Sequence, residues 1–450
     1  MPRMEPAAGI RMEPAGQPSS LAMAQLQIPG VPSLLLEVLA DAAAGDRLAL
    51  VGGAVRDLLL HRVHNDPWRG LPDLDLVVEP EGDEAAAPLL ARRLAASGRL
   101  PLCTWSEHGA YGTVEIALQL SGGDGEAQAK AGVEPGGLTV LLDVATARRE
   151  IYPVAGENPV VSFGSLEDDL ARRDFTINAM ALLLGDRLLL LDPHGGQRDL
   201  AQRLLRFLHP DSLRDDPSRL IRAARYQARL GFQLAPDSLE QVHSTLNRWP
   251  WPWRPGDPAD QAPAALGTRL RMELELLLER ERWPAALEAL QGWGALVLLD
   301  AALQADRSWR RRLLWAERLG LPRIAAFLAL ADDPPALAAR LQLPHRQQRL
   351  LAAFLTLRRQ LADPAAPEPS TPSAWAEWLE APGRPPECVA LALAAALGPR
   401  RPLLRWWLRW RHLRAAISAK ELIELGVPAG PALGERLRLL RAERLDQERL

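Results

Sequence analysis

The chain is nearly without cysteine: only Cys103 and Cys388 carry a thiol among its 450 residues. That argues against a disulfide framework and against a zinc site, and it fits a reducing cytosol. Charge of one sign is also lacking. The formal net charge is −3, so a nucleic-acid surface has to be a local patch and not a field over the whole molecule. No apolar run reaches about 18 residues, so no membrane span is expected, and no secretory signal is evident at the N-terminus. A cytoplasmic protein is expected, with monomer and homodimer both left open. The remaining composition, 48% hydrophobic and 24% charged, is that of a globular protein long enough for roughly two to four cored domains.

Residues 1–26, where Met-Glu-Pro-Ala occurs twice among Pro, Gly and Ser, read as a disordered leader. From about 45 to 195 strands and helices alternate, with strands expected at 47–51, 73–78, 111–118, 138–144 and 187–192. The Gly-rich, polar stretch 119–137 reads as a long hairpin excursion. From about 199 the pattern is helical, rich in Leu, Ala and Arg, and broken at the Pro-rich stretches 250–267, 332–336, 363–373 and 380–386. The fold class expected is α+β: an α/β head over 27–198, a helical neck over 199–290, and a helical body and tail over 291–450.

The most informative stretch begins with Gly52-Gly53 at the start of an apolar helix that carries Arg56 and Asp57. A strand follows in which Asp73 and Asp75 alternate with Leu74 and Leu76. A strand has period two, so both carboxylates share one face while both leucines point to the core. Like charges held so close call for a partner, and a divalent cation is the obvious one. A Gly-Gly turn at a helix N-terminus beside that pair suggests a triphosphate held through magnesium.

Further on, Arg172-Arg173-Asp174 is followed one turn later by Asn178. The bland reading is a helix over 171–181 with a charged first turn. The functional one gives Asp174 a ribose hydroxyl pair, Arg172 or Arg173 a phosphate, and Asn178 a donor–acceptor role. Next, Asp215-Asp216-Pro217-Ser218 opens a helix in which Arg219, Arg222, Arg225 and Arg229 form one stripe. No acidic residue lies between 217 and 236, so the stripe is uncompensated locally and calls for an anionic partner. Asp216 and Arg219 offer an acceptor and a donor fork one turn apart, enough to imitate a Watson–Crick edge. Near the C-terminus Trp406, Trp407 and Trp410 interleave with arginines. The tryptophans read as core and some of the arginines as RNA contacts.

Together these motifs resemble the class II tRNA nucleotidyltransferase and bacterial poly(A) polymerase family, within the polymerase-β-like nucleotidyltransferases. Gly52–Asp57 with Asp73 and Asp75 looks like its first motif, and Arg172–Ala179 like its second. Asp192-Pro193-His194-Gly195-Gly196 with Asp199 resembles the third. The fourth is Asp215–Arg219, which in the family usually opens with Glu, and Arg269 with Glu273 resembles the fifth. The resemblance implies Asp73 and Asp75 as catalytic magnesium ligands, with Asp143 a further candidate. It implies nucleotide contacts from Gly52, Gly53, Arg56, Asp57, Arg172, Arg173, Asp174 and Asn178. Asp216 and Arg219 would face the base, with Arg222 beside them. The substrates implied are ATP, CTP and tRNA, the last gripped along the helical part. The product is CCA, or its terminal A, added to a tRNA 3′ end without a template. An intact Ala147–Pro153 loop argues against a CC-only enzyme. Poly(A) polymerase and a non-catalytic RNA-binding protein are the alternatives.

Overall fold

The structure is a computed structural model that describes residues 19–21, 28–70, 73–82, 84–100, 102–108, 112–120, 138–185, 188–364 and 369–448. Most of the expected leader, and residues 121–137 of the expected excursion, lie outside the described residues. The chain forms two compact units. The first runs to Arg219 and takes back Leu230–Ser244; the second comprises Leu220–Arg229 and the chain from Thr245. The first unit thus includes much of the stretch read above as neck.

Apart from a short parallel pair, Leu204–Leu205 with Gln233–Leu234, ten strands are described in the first unit: β1 (Ser19–Leu21), β2 (Leu48–Val51), β3 (Leu74–Val78), β4 (Leu102–His108), β5 (Thr113–Leu120), β6 (Leu138–Thr146), β7 (Arg148–Ile151), β8 (Val160–Phe163), β9 (Ala181–Leu183) and β10 (Leu188–Leu191). Eight of them form one mixed sheet in the order β1-β10-β9-β2-β3-β6-β5-β4, while β7 and β8 pair as a separate hairpin. β3 and β6 run parallel at the centre. β5 and β6 are antiparallel with Leu120 opposite Leu138, the register of a hairpin. The five expected strands are all present, each within two residues of its expected bounds.

Three strands of the main sheet were not read from the sequence. β4 is an edge strand whose Thr104–His108 face solvent, so it carries no apolar alternation. β9 has three residues and starts at Ala181, the last residue of the helix expected over 171–181. The helix Leu166–Ala171 instead stops early; Phe175 is extended and bridged to Phe207, and only a 3₁₀ turn, Thr176–Asn178, follows. β-branched Thr176 and Ile177 beside Phe175 disfavour a continuing helix. β1 lies inside the expected leader and pairs with β10.

The second unit is helical among the described residues, and the Pro-rich breaks fall between helices or run into a helix start. Proline serves there as a start signal: helices begin at Pro334 after Asp333 and at Pro372 after Thr371, whose side chains accept from the first turn. Trp406 and Trp410 are core residues, as read, while Trp407 carries the Arg411 guanidinium on its face at 3.6 Å. At the centre Arg312 is fully buried. It pairs with Asp306 at 2.7 Å and donates to the Ala326 and Phe327 carbonyls. Arg312→Met would leave Asp306 and two carbonyls without their donor. A loss of about 3–5 kcal/mol is expected, read as a melting temperature about 10 °C lower. An unchanged melting temperature would show that the pair only breaks even against a packed hydrophobe.

Candidate active site

The site starts at the turn between β2 and the helix Gly53–Arg62. Gly52 has φ +70°, which favours glycine. It has a second reason to lack a side chain: a Cβ there would lie 3.1 Å from Arg173 Nη1 and 3.3 Å from Asp75 Oδ2. Turn, carboxylate and guanidinium therefore converge on one spot, at a helix N-terminus whose first N–H groups have no intrahelical partner. This joins the first and second motifs, about a hundred residues apart in the chain.

Asp75 stands where the period-two argument put it, between buried Leu74 and Leu76. Asp73 is exposed, one residue before β3. Across the parallel pair Asp75 is in register with Asp143, and Asp143 with Glu115 on β5. In-register neighbours share a face, so the carboxylates form a row. Burial raises the Asp75 pKa to about 6; Arg173 opposes the shift, and Asp143 and Asp73 add to it. Burial, then Glu115 and Asp73, push Asp143 up as well. Among the described residues no group of three or more His, Cys, Asp or Glu side chains could hold a metal by itself. The donor set of mutually repelling carboxylate oxygens nevertheless fits a hard divalent cation that fills its shell with water and phosphate oxygens.

Behind the turn runs a buried polar chain. Arg56 is 4% exposed. It is bidentate to Asp57 at 2.9 and 3.0 Å and donates to Asn178 Oδ1 at 2.8 Å. Asn178 donates to Asp174, which also accepts from the Phe175 N–H. These four predicted residues thus brace the two motifs against each other. The third motif completes the support: Asp192 caps Gly196 and Gln197, and a Cβ on Gly196 would meet the Thr176 carbonyl at 2.4 Å.

Arg172 and Arg173 depend on a residue the sequence reading passed over. Asp169, with no exposed surface, accepts from Arg172 at 2.7 and 2.9 Å and from Arg173 at 2.8 Å. Burial pushes its pKa up, but the two guanidiniums outweigh that and hold it below the usual carboxylate range. Its position three and four residues before the arginines on a helix was the available signal. Glu150 on β7 is the other acid on Arg172, at 3.2 Å.

Arg219, 5% exposed, donates to the Ser212 and Arg172 carbonyls. Asp216 accepts from the Ser218 N–H and hydroxyl, fixing the first turn of the helix Arg219–Leu230. The rest of the arginine stripe corrects the sequence reading. Within the second unit Arg222 pairs with Glu273, Arg225 with Glu273 and Glu281, and Arg229 with Glu281. The stripe is compensated, by acids about fifty residues downstream that a local charge count does not see. Arg222 is accordingly part of an ion-pair ladder.

A mixed sheet with acids on neighbouring strands, set beside a glycine turn at a helix N-terminus, is the head of a nucleotidyltransferase. Residues 118–206 match the model of the poly A polymerase head domain. A CC-adding tRNA nucleotidyltransferase of Deinococcus radiodurans is 35% identical over 397 residues, covering 87% of this chain and 82% of that protein. An A-adding tRNA nucleotidyltransferase of Halalkalibacterium halodurans is 29% identical, covering 91% and 88%. The chain belongs to the tRNA nucleotidyltransferase family. Its fold also matches a solved CCA-adding enzyme in an apo form, with a TM-score of 0.67 at 24% identity over 95% of both chains.

Proposed function

We propose that this chain adds nucleotides to tRNA 3′ ends without a template, transferring them from CTP or ATP and releasing pyrophosphate. The observation that carries the reading is the convergence of Gly52, Asp75 and Arg173 on one spot, with Asp143 in register beside it. Asp73 and Asp75 would hold magnesium, with Asp143 adjoining. Bound there, magnesium would supply charge to lower the pKa of the attacking 3′-hydroxyl and to steady the leaving pyrophosphate. The chain's own part is orientation. The Gly52-Gly53 turn presents backbone N–H groups to the triphosphate. Arg173 and Arg172, held by Asp169, meet phosphate or ribose oxygens. Arg56, Asp57, Asp174 and Asn178 keep the turn and the arginines in place. Asp216 and Arg219 present an acceptor and a donor fork to the base, so that the protein takes the part of a template. Arg222 is held by Glu273 within the second unit. Such a protein works in the cytoplasm.

The Ala147–Pro153 loop, with the polar stretch after it, supports a product beyond CC alone. The Deinococcus relative, CC-adding and matched over most of both lengths, supports a second reading in which only the two C residues are added. The test uses purified protein, magnesium and labelled tRNA transcripts ending before CCA, after C and after CC, each with CTP, with ATP and with both. Full extension of all three is the expected result. Extension of the CC-ended transcript alone, with ATP, means an A-adding enzyme. Arrest after two C residues establishes the second reading, and long A tails on any RNA would mean a poly(A) polymerase. No incorporation under any condition would overturn the proposal.

A further inference from the structure

The last part of the chain forms a cavity of about 940 Å³, built wholly within the second unit. Its walls come from the turn Trp410–His412, the segment 413–418 and the helices Ala419–Glu424 and Pro431–Asp446. Burial alternates along that segment: Leu413, Ala415 and Ile417 are half-buried, while Arg414 and Ala416 are exposed. The floor is therefore aliphatic, and Leu437 of the last helix adds to it. That helix is pinned. Arg441 is bidentate to Glu380 and donates to the Leu413 carbonyl at 2.8 Å, and Asp446 accepts from the Ser373 N–H and hydroxyl at 2.9 and 2.8 Å.

The lining carries more positive charge than it neutralises. Four arginines face two glutamates there, in a chain whose net charge is −3. Both glutamates are committed. Glu380 takes Arg441 and the Trp406 indole N–H, and Glu421 takes the Ser418 N–H and hydroxyl as part of a helix cap. Among the described residues Arg414 and Arg438 make no ion pair or side-chain hydrogen bond, and Arg411 lies on the Trp407 face and meets no carboxylate. Guanidiniums without an acid, beside an aliphatic floor, call for an anion that has an apolar body. The guanidiniums alone would also serve a phosphodiester strand. Such a strand has nothing to cover the floor, and neither tryptophan offers a face on which a base could stack: Trp406 is 1% exposed and Trp407 carries Arg411.

We propose that this cavity binds a small organic anion with an aliphatic body, its carboxylate or phosphate head on Arg414 and Arg438 and its hydrocarbon on Leu413, Ile417 and Leu437. The volume suffices to take such a ligand whole. The proposal is independent of the transfer reaction assigned to the first unit.

The experiment titrates the full-length protein with anilinonaphthalene sulfonate, a fluorescent anion with an apolar body. The bound probe is then challenged with dodecanoate or dodecyl phosphate, each below its micelle-forming concentration, and separately with a tRNA transcript. The parent is compared with the double variant Arg414→Ala, Arg438→Ala and with Ile417→Asp, and melting temperatures are measured alongside. One saturable site is expected, displaced by dodecanoate, by dodecyl phosphate or by both, and the more effective of the two identifies the head group. The double variant should bind at least about tenfold more weakly, the size of one charge-assisted hydrogen bond or more, at a near-parental melting temperature. Ile417→Asp should weaken binding as well, by setting a like charge on the floor. Should that variant melt early, the arginine pair carries the test, since both side chains are exposed. Equal affinity in parent and double variant would overturn the proposal, as would a probe that neither amphiphile displaces. Displacement by tRNA alone would make the cavity an RNA surface and overturn it too.

Discussion

Asp75→Asn is expected to abolish nucleotide incorporation and at the same time to raise the melting temperature of the ligand-free protein near pH 8. Both effects come from one placement. Asp75 is partly buried beside Asp143 and Asp73, and burial is the largest cause of its pKa of about 6. A carboxylate whose folded pKa is raised prefers to be protonated in the folded state. Its ionised form therefore weakens the fold at every pH above about 6, and the penalty fades as pH falls through 6 towards the ordinary carboxylate value. Asparagine is neutral and nearly the same shape, so it removes the penalty. After discount for solvent screening the gain is on the order of 1–2 kcal/mol, a rise of a few degrees. The activity lost is that of a metal-binding carboxylate, worth several kcal/mol of transition-state stabilisation, or at least about a thousandfold in rate. Thermal melts in EDTA near pH 8 and near pH 5, with incorporation assays on the same preparations, check both. The gain should be full at the higher pH and roughly halved at the lower. A variant no more stable than the parent at pH 8 would mean that Asp75 is not held under strain, and an active one would remove it from catalysis.

Asp169→Ala is the second large effect, and it points the other way. Asp169 is the shared acceptor of Arg172 and Arg173 and has no exposed surface. Its removal leaves Arg172 with Glu150 alone and takes from Arg173 its carboxylate partner, and a broken buried ion pair costs about 3–5 kcal/mol. Arg173 Nη1 would lie 3.1 Å from a Cβ on Gly52, so its displacement reaches the catalytic turn directly. Nucleotide KM is expected to rise by at least about tenfold, because a freed arginine must be reordered on binding. Asp169→Asn separates the two consequences. It keeps the shape and part of the hydrogen bonding, so it should recover stability more than KM. Equal recovery of both would mean that Asp169 is a packing residue and nothing more.

Much of this was legible without coordinates, for definite physical reasons. The alternation of Asp73 and Asp75 with Leu74 and Leu76 put Asp75 on its strand face between two buried leucines, while Asp73 lies one residue before the strand. Gly52-Gly53 before an apolar helix marked the turn, and the Pro-rich stretches marked gaps between helices or helix starts. These are local rules, carried by period, propensity and capping within a few residues. What only the tertiary structure decided is pairing across long separations. Glu273 and Glu281 neutralise a stripe that is bare within its own helix. Asp143 comes into register with Asp75 through a parallel crossover. Arg56 turns inward to Asn178 and not outward to solvent. Charge acts through space, and its partners are set by how the chain returns on itself, which a sequence window does not contain.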